Sequence, residues 1–228
     1  MRFPWPTLLF DLWVEPWCQQ RGHGEVIVVR FADDLLLGLQ HESDARRFRI
    51  ARDERLSKFG LALNSAKTRL VRFGRFASQS AGQAGEKGAG TFEFLGFPHM
   101  CVKTRRGRFR ILRRTSKARM RVTLKAIRAQ LKRNRHRPIP EQGAWLHRVL
   151  QGYFQYYAVR TNTPRLDAFR KKVSRAWLRA LRQRSQRHRI TWLRMRALSD
   201  RWLPPVRLLH HNPERRFFDR TQGRSPVR

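Results

Sequence analysis

Carboxylates are scarce in this chain. Of its 228 residues only 16 are Asp or Glu, against 51 Lys or Arg, which leaves a formal net charge of +35. That imbalance is far beyond ordinary surface mixing of charges. Cysteine is almost absent: Cys18 and Cys101 stand alone, without metal-ligand spacing. This excludes a disulfide framework and fits a reducing compartment. No uninterrupted apolar stretch approaches the ~20 residues that a membrane-spanning helix needs. Residues 1–10 hold one Arg, too short an apolar core and no small-residue cleavage site, so they do not form a signal peptide. A cytoplasmic location is expected. No internal repeat is visible.

What is present is unevenly spread. Residues 1–100 carry 14 Lys or Arg and 11 Asp or Glu, a balance of +3, whereas residues 101–228 carry 37 and 5, a balance of +32. A compact domain with so much like charge repels itself unless a polyanion neutralises it. A nucleic acid is therefore the expected partner of the second half. An anionic membrane surface would demand one basic surface helix, but the cations are distributed over several globular-looking helices. The hydrophobic share of 40% supports a buried core, and the length suits one large domain or two small ones.

Residues 26–39 hold two apolar runs around Asp33 and Asp34. Such runs flanking a polar break predict a β-hairpin with Ala32, Asp33 and Asp34 at or near its turn. Adjacent carboxylates at a tight turn can hold a hard divalent cation. Asp is also a common turn residue, so the pair alone is more often structural than chemical.

Pro4 and Pro6 argue against a helix at the start, and residues 11–17 suggest a helix end broken at Pro16. Ser43 is a plausible N-cap for a helix to about Phe59, with Gly60 beyond its end. A strand is expected at about 68–73, a Gly- and Ser-rich loop over 74–90, and a strand over 91–97. Residues 101–103 and 108–112 predict another hairpin turning at Gly107. After Arg114 the period changes. Met120, Leu124, Ile127 and Leu131 make one helical stripe. A second helix is expected from about Glu141, a third from Thr163-Pro164 with Leu166, Phe169, Val173, Trp177 and Leu181 inward, and a fourth from about 191 to 202. Tyr153, Tyr156, Tyr157, Trp177 and Trp192 are expected in the core or lining grooves rather than as base-stacking platforms. The expected fold class is α+β, strand-rich over 1–113, helical over 114–203, with a basic, loosely ordered tail over 204–228.

The order of these motifs resembles the group II intron-encoded reverse transcriptase/maturases. Phe31-Ala32-Asp33-Asp34 in an apolar hairpin is similar to the aromatic-Ala-Asp-Asp signature of reverse transcriptases. Residues 59–68 and then Phe92-Glu93-Phe94-Leu95-Gly96-Phe97 look like the next two blocks, the second being the primer grip. Arg135-His136-Arg137-Pro138, residues 145–157, and Arg184 to Arg187 followed by Thr191-Trp192 are similar to the family's thumb and maturase-specific region. The likeness runs over roughly residues 8–210. It implies a partial palm over 1–113 and an all-helical thumb and maturase region over 114–203. It implies RNA-directed DNA polymerisation, an in-line displacement at phosphorus assisted by two Mg²⁺ ions. Asp33 and Asp34 would be catalytic and metal-binding, with Phe31 and Ala32 at the nucleotide or primer end and Lys67 near the triphosphate. Phe94, Leu95, Gly96 and Phe97 would support the primer.

The chain also departs from that family. Fingers, the first half of the palm and a further metal-binding Asp are expected before the hairpin and are not found among the residues ahead of Asp33, so the polymerase site is expected to be incomplete. Asp11 falls where the likeness places a helix. No Cys or His cluster of a zinc-binding endonuclease follows residue 210. The retained activity is then binding of intron RNA, with a DNA target as a further partner and no membrane. The basic clusters expected to touch phosphates are Arg113, Arg114, Lys117 and Arg119; Lys132, Arg133, Arg135 and Arg137; and Arg182, Arg184 and Arg187. Three other readings stay open: a complementing chain that supplies fingers, a stand-alone RNA-binding splicing factor or chaperone with relic aspartates, and a degenerate, unstable translation product with no role.

Overall fold

The computed structural model describes residues 5–32, 34–64, 66, 68–77, 79, 82, 88–184 and 190–210. The fold is α+β, with a two-stranded and a three-stranded antiparallel sheet and six helices among the described residues. It divides into two compact units, residues 1–72 and 73–228.

The first unit opens on α1 (Trp5–Arg21), which runs through Pro16. Two prolines that argue against a helix are thus accommodated. Pro6 falls in the first turn, where no intrahelical N–H is required. Pro16 is exposed, as is Leu12 one turn earlier, so the carbonyl freed by the missing N–H faces water. Strands β1 (Val26–Phe31) and β2 (Asp34–Leu39) pair in register from Val26 opposite Leu39 to Phe31 opposite Asp34. Helix α2 (Glu42–Ser57) begins ahead of the expected cap at Ser43, with Glu42 and Asp44 in its first turn, where the helix dipole favours carboxylates. Val14, Trp17 and Phe48 form the buried core, with the Trp17 and Phe48 rings edge-on at 4.9 Å. Thr68 to Phe73 do not form the expected strand. A strand needs a hydrogen-bonded neighbour, and this segment pairs with none among the described residues.

The second unit joins a sheet to a helical bundle. Strands β3 (Thr91–Phe94), β4 (Phe97–Lys103) and β5 (Phe109–Arg113) pair antiparallel in that order. Helices α3 (Lys117–Arg133), α4 (Ile139–Tyr157), α5 (Thr163–Arg182) and α6 (Trp192–Trp202) follow. Their stripes are those the 3.6-residue period predicts: Leu146, Leu150, Leu166, Phe169, Trp177 and Met195 are wholly inaccessible to solvent. Burying side chains of this size stabilises by roughly 1.5–3 kcal/mol each.

The unit boundary at 72/73 lies well before the change of period at 114, because the second sheet is tied to the helices. Asn162, fully buried, accepts from the Thr115 backbone N–H at 2.8 Å and donates to Thr115 Oγ1 at 2.6 Å and to the Tyr157 carbonyl at 2.9 Å. Thr161 Oγ1 accepts from the Arg113 N–H at 2.9 Å and donates to the Arg113 carbonyl at 2.8 Å. The first residues of the expected loose tail, 204–210, are held against the helices. Leu203 is buried, Arg170 Nε donates to the Pro204 carbonyl at 3.2 Å, and His210 Nε2 lies 2.7 Å from the Gln155 carbonyl. Residues 211–228 lie outside the described residues.

Candidate nucleic-acid interface

The aspartate hairpin forms as expected. Ala32 turns the chain at φ 53, and Phe31 and Asp34 close the ladder on either side, both exposed. Asp33 and Lys67 lie outside the described residues. The apolar face of β1 is open: Ile27 is 63% and Phe31 62% exposed. Among the described residues no group of three His, Cys, Asp or Glu is placed to hold a metal ion. Asp34 is the described carboxylate of the pair, and the two-ion Mg²⁺ site that the resemblance implies would also need Asp33.

The turn expected to grip a primer belongs to the other unit. Leu95 and Gly96 connect β3 to β4 at φ 50 and 75, the left-handed pair that a two-residue hairpin turn requires. Gly96 is needed twice over. A Cβ there would stand 3.1 Å from Arg119 Nε and 3.3 Å from the Tyr157 hydroxyl, besides the strain of positive φ. The helices hold this turn: Tyr156 Oη donates to the Leu95 carbonyl at 2.9 Å, and the Ser116 N–H donates to the Gly96 carbonyl at 3.1 Å. Phe97 packs against the bundle core and stacks on Tyr156 at 5.8 Å, while Phe94 is half-buried.

Of the aromatics expected in the core or lining grooves, three are in the core and two are not. Trp177, Tyr153 and Tyr157 are buried, and burial pushes the Tyr153 phenol up to about 12. Tyr156 and Trp192 remain half-exposed.

The clustered cations divide by role. Arg184 is taken up by the fold: Nε and Nη2 donate to the carbonyls of Arg135 and Arg137, and burial lowers its pKa. Buried Gln142 shares this work, its Nε2 donating to the carbonyls of Asn134 at 2.6 Å and Arg135 at 3.1 Å, while its Oε1 accepts from Trp177 Nε1 at 2.8 Å. Together they satisfy carbonyls left free where α3 ends. Arg182 Nε likewise donates to the Ile190 carbonyl at 3.1 Å, and Arg137 pairs with Glu141 at 3.8 Å. Arg113 and Arg114 are half-buried at the end of the sheet. Lys117, Arg119, Lys132 and Arg133 are exposed on α3, and Arg187 lies outside the described residues.

A cluster not expected from the sequence lies between α3 and α5. There a groove of about 610 Å³ is lined by Lys117, Arg121 and Arg128 from α3 and Arg165, Lys172, Arg175 and Arg179 from α5. Met120, Leu124 and Ala176 make its floor. It contains no carboxylate, and between Glu93 and Glu141 the sequence has none to offer. Six of the seven cations are exposed. Only Lys117 belongs to the adjacent-residue clusters that the sequence reading favoured. The signal for the others was periodic: 117, 121 and 128 recur at i, i+4 and i+11, and 165, 172 and 179 at i, i+7 and i+14. Each set marks one face of a helix.

Such a surface attracts anions, and cations on two facing walls suit a chain of phosphates better than a single charge. Comparison with protein-family models and with curated proteins finds no match.

Proposed function

We propose that the chain binds structured RNA as the palm-end and maturase portion of a group II intron-encoded reverse transcriptase, with its RNA-binding face on residues 73–210. The observation that carries the reading is the carboxylate-free groove with seven cations between α3 and α5. The order of the motifs, from Phe31-Ala32-Asp33-Asp34 through the Leu95-Gly96 turn to the helical blocks, supports the choice of family. A membrane surface is the poorer ligand. The cations converge in a concavity floored by buried Met120 and Leu124 and half-buried Ala176, rather than bordering an exposed apolar helix face. RNA binding is proposed ahead of polymerisation because seven described cations define the groove, whereas Asp33 lies outside the described residues.

The test is a binding titration of the full chain with a folded intron RNA over a salt series. If cations inside and outside the groove together neutralise about seven phosphates, affinity falls about 10³-fold between about 50 and 200 mM salt. A flat salt dependence defeats the electrostatic reading. Primer extension on an RNA template with Mg²⁺ is the companion assay, and no product is expected. Extension that Asp33→Ala abolishes would return polymerase activity to this chain.

A further inference from the structure

Resting on the RNA-binding reading above, we infer that the α3–α5 groove is a track for one phosphate backbone, which it holds lengthwise with the bases turned outward. The width of the groove comes from its construction. Helices α3 and α5 pack directly on one another, and packed helices stand about 8–10 Å apart. A duplex is wider than that, so only a single backbone, free or as one ridge of a duplex, can sit between the walls. The length comes from the cation rows. On α3 they span residues 117–128, about 16 Å, and on α5 residues 165–179, about 21 Å, at 1.5 Å per residue.

Cation rows about 16 and 21 Å long run beside an extended strand for about three or four nucleotides. The floor decides the orientation. Met120, Leu124 and Ala176 offer apolar surface but no aromatic face, and no Asn, Gln, Asp or Glu lines the groove to read a base edge. Binding there is indifferent to sequence and leaves the base-pairing edges free. This distinguishes the groove from single-strand sites that stack bases on aromatic rings.

The test uses the full chain and short single-stranded oligonucleotides: oligo-uridine, oligo-adenosine and an abasic ribose-phosphate strand of equal length. All three should bind the wild type within about twofold. Arg121→Gln, Arg128→Gln and Arg175→Gln are combined in one variant. Its three exposed positions leave the helical circular dichroism unchanged, and its affinity for every strand should drop at least about tenfold. The slope of log K against log salt should become shallower by about 2, since each single-strand phosphate contact contributes about 0.7. A control removes the same charge from the exposed β4–β5 turn, as Arg105→Gln, Arg106→Gln and Arg108→Gln, and should stay within about twofold of wild type.

Equal losses in the two variants would mean diffuse charge and would overturn the track while leaving RNA binding in place. A tenfold weaker abasic strand would overturn the outward bases. Poly-glutamate competing as well as RNA at equal charge, or no RNA binding by the wild type, would remove both the track and the RNA reading.

Discussion

Asp44 shows how one side chain stabilises the first unit. It is buried at the start of α2 and accepts from the His23 backbone N–H at 2.8 Å, from the Arg47 guanidinium, and lies 3.1 Å from His23 Nδ1. The His23 N–H and the Arg47 guanidinium outweigh the cost of burial and hold its carboxyl at about 2, below its ordinary 3.8. A folded pKa below the unfolded one contributes stability above the unfolded value and loses it as pH falls through the folded value. Asp44→Asn should therefore lower the melting temperature of this unit at pH 6, and the gap to wild type should close between about pH 4 and about pH 2. Thermal melts followed by near-UV circular dichroism of the Trp17–Phe48 cluster check this. Glu42, held at about 2 by Arg72 and Arg46, leaves a residual acid transition in both proteins. A gap that does not change with pH would assign the loss to packing instead. The acidic first turn was visible in the sequence; the partners were not. His23 is 21 residues away, and the same holds for Asn162 with Thr115 and for Arg184 with the end of α3. Polar contacts across such separations leave no periodic trace.

Elements were legible where packing imposes a period and illegible where a neighbour decides. The stripe Met120, Leu124, Ile127 and Leu131 announces α3, and Thr163-Pro164 announces α5, because one face of each helix meets the core. The hairpins at Asp33-Asp34 and Gly107 were equally plain. The strand expected at 68–73 did not form, and α1 formed despite two prolines; both outcomes depend on what lies beside the segment rather than within it. The crossing of α4 and α6 is another such case. Gly143 lies directly beneath Trp202, so that an added Cβ would approach the Trp202 Cγ and Cδ2 to 2.5 Å. Gly152, on the same helix, has nothing within 4 Å. The same substitution should therefore have opposite effects. Gly143→Ala should destabilise by about 1–3 kcal/mol through overpacking. Gly152→Ala should stabilise by about 0.5–1 kcal/mol through helix propensity. Guanidinium unfolding of the two variants measures both, and a neutral Gly143→Ala would show that α6 is free to shift away from α4.

At the scale of the whole molecule, charge separates the two compact units more sharply than secondary structure does. Residues 1–72 hold 12 Lys or Arg and 9 Asp or Glu, whereas residues 73–228 hold 39 and 7. Self-repulsion therefore acts almost entirely within the second unit and is relieved by any bound polyanion. Two transitions are expected in scanning calorimetry at low salt, and Asp44→Asn identifies the first unit's transition by moving it alone. RNA at about 100 times its Kd should stabilise the unit that binds it by about 2.7 kcal/mol. For a unit of this size that raises the melting temperature by about 5–10 °C. Only the transition of residues 73–228 should move. High salt without RNA should raise the same transition by screening its repulsion, and should abolish the further shift on adding RNA, since the counterions can no longer be released profitably. A single transition that RNA shifts as a whole would instead show that the two units unfold as one.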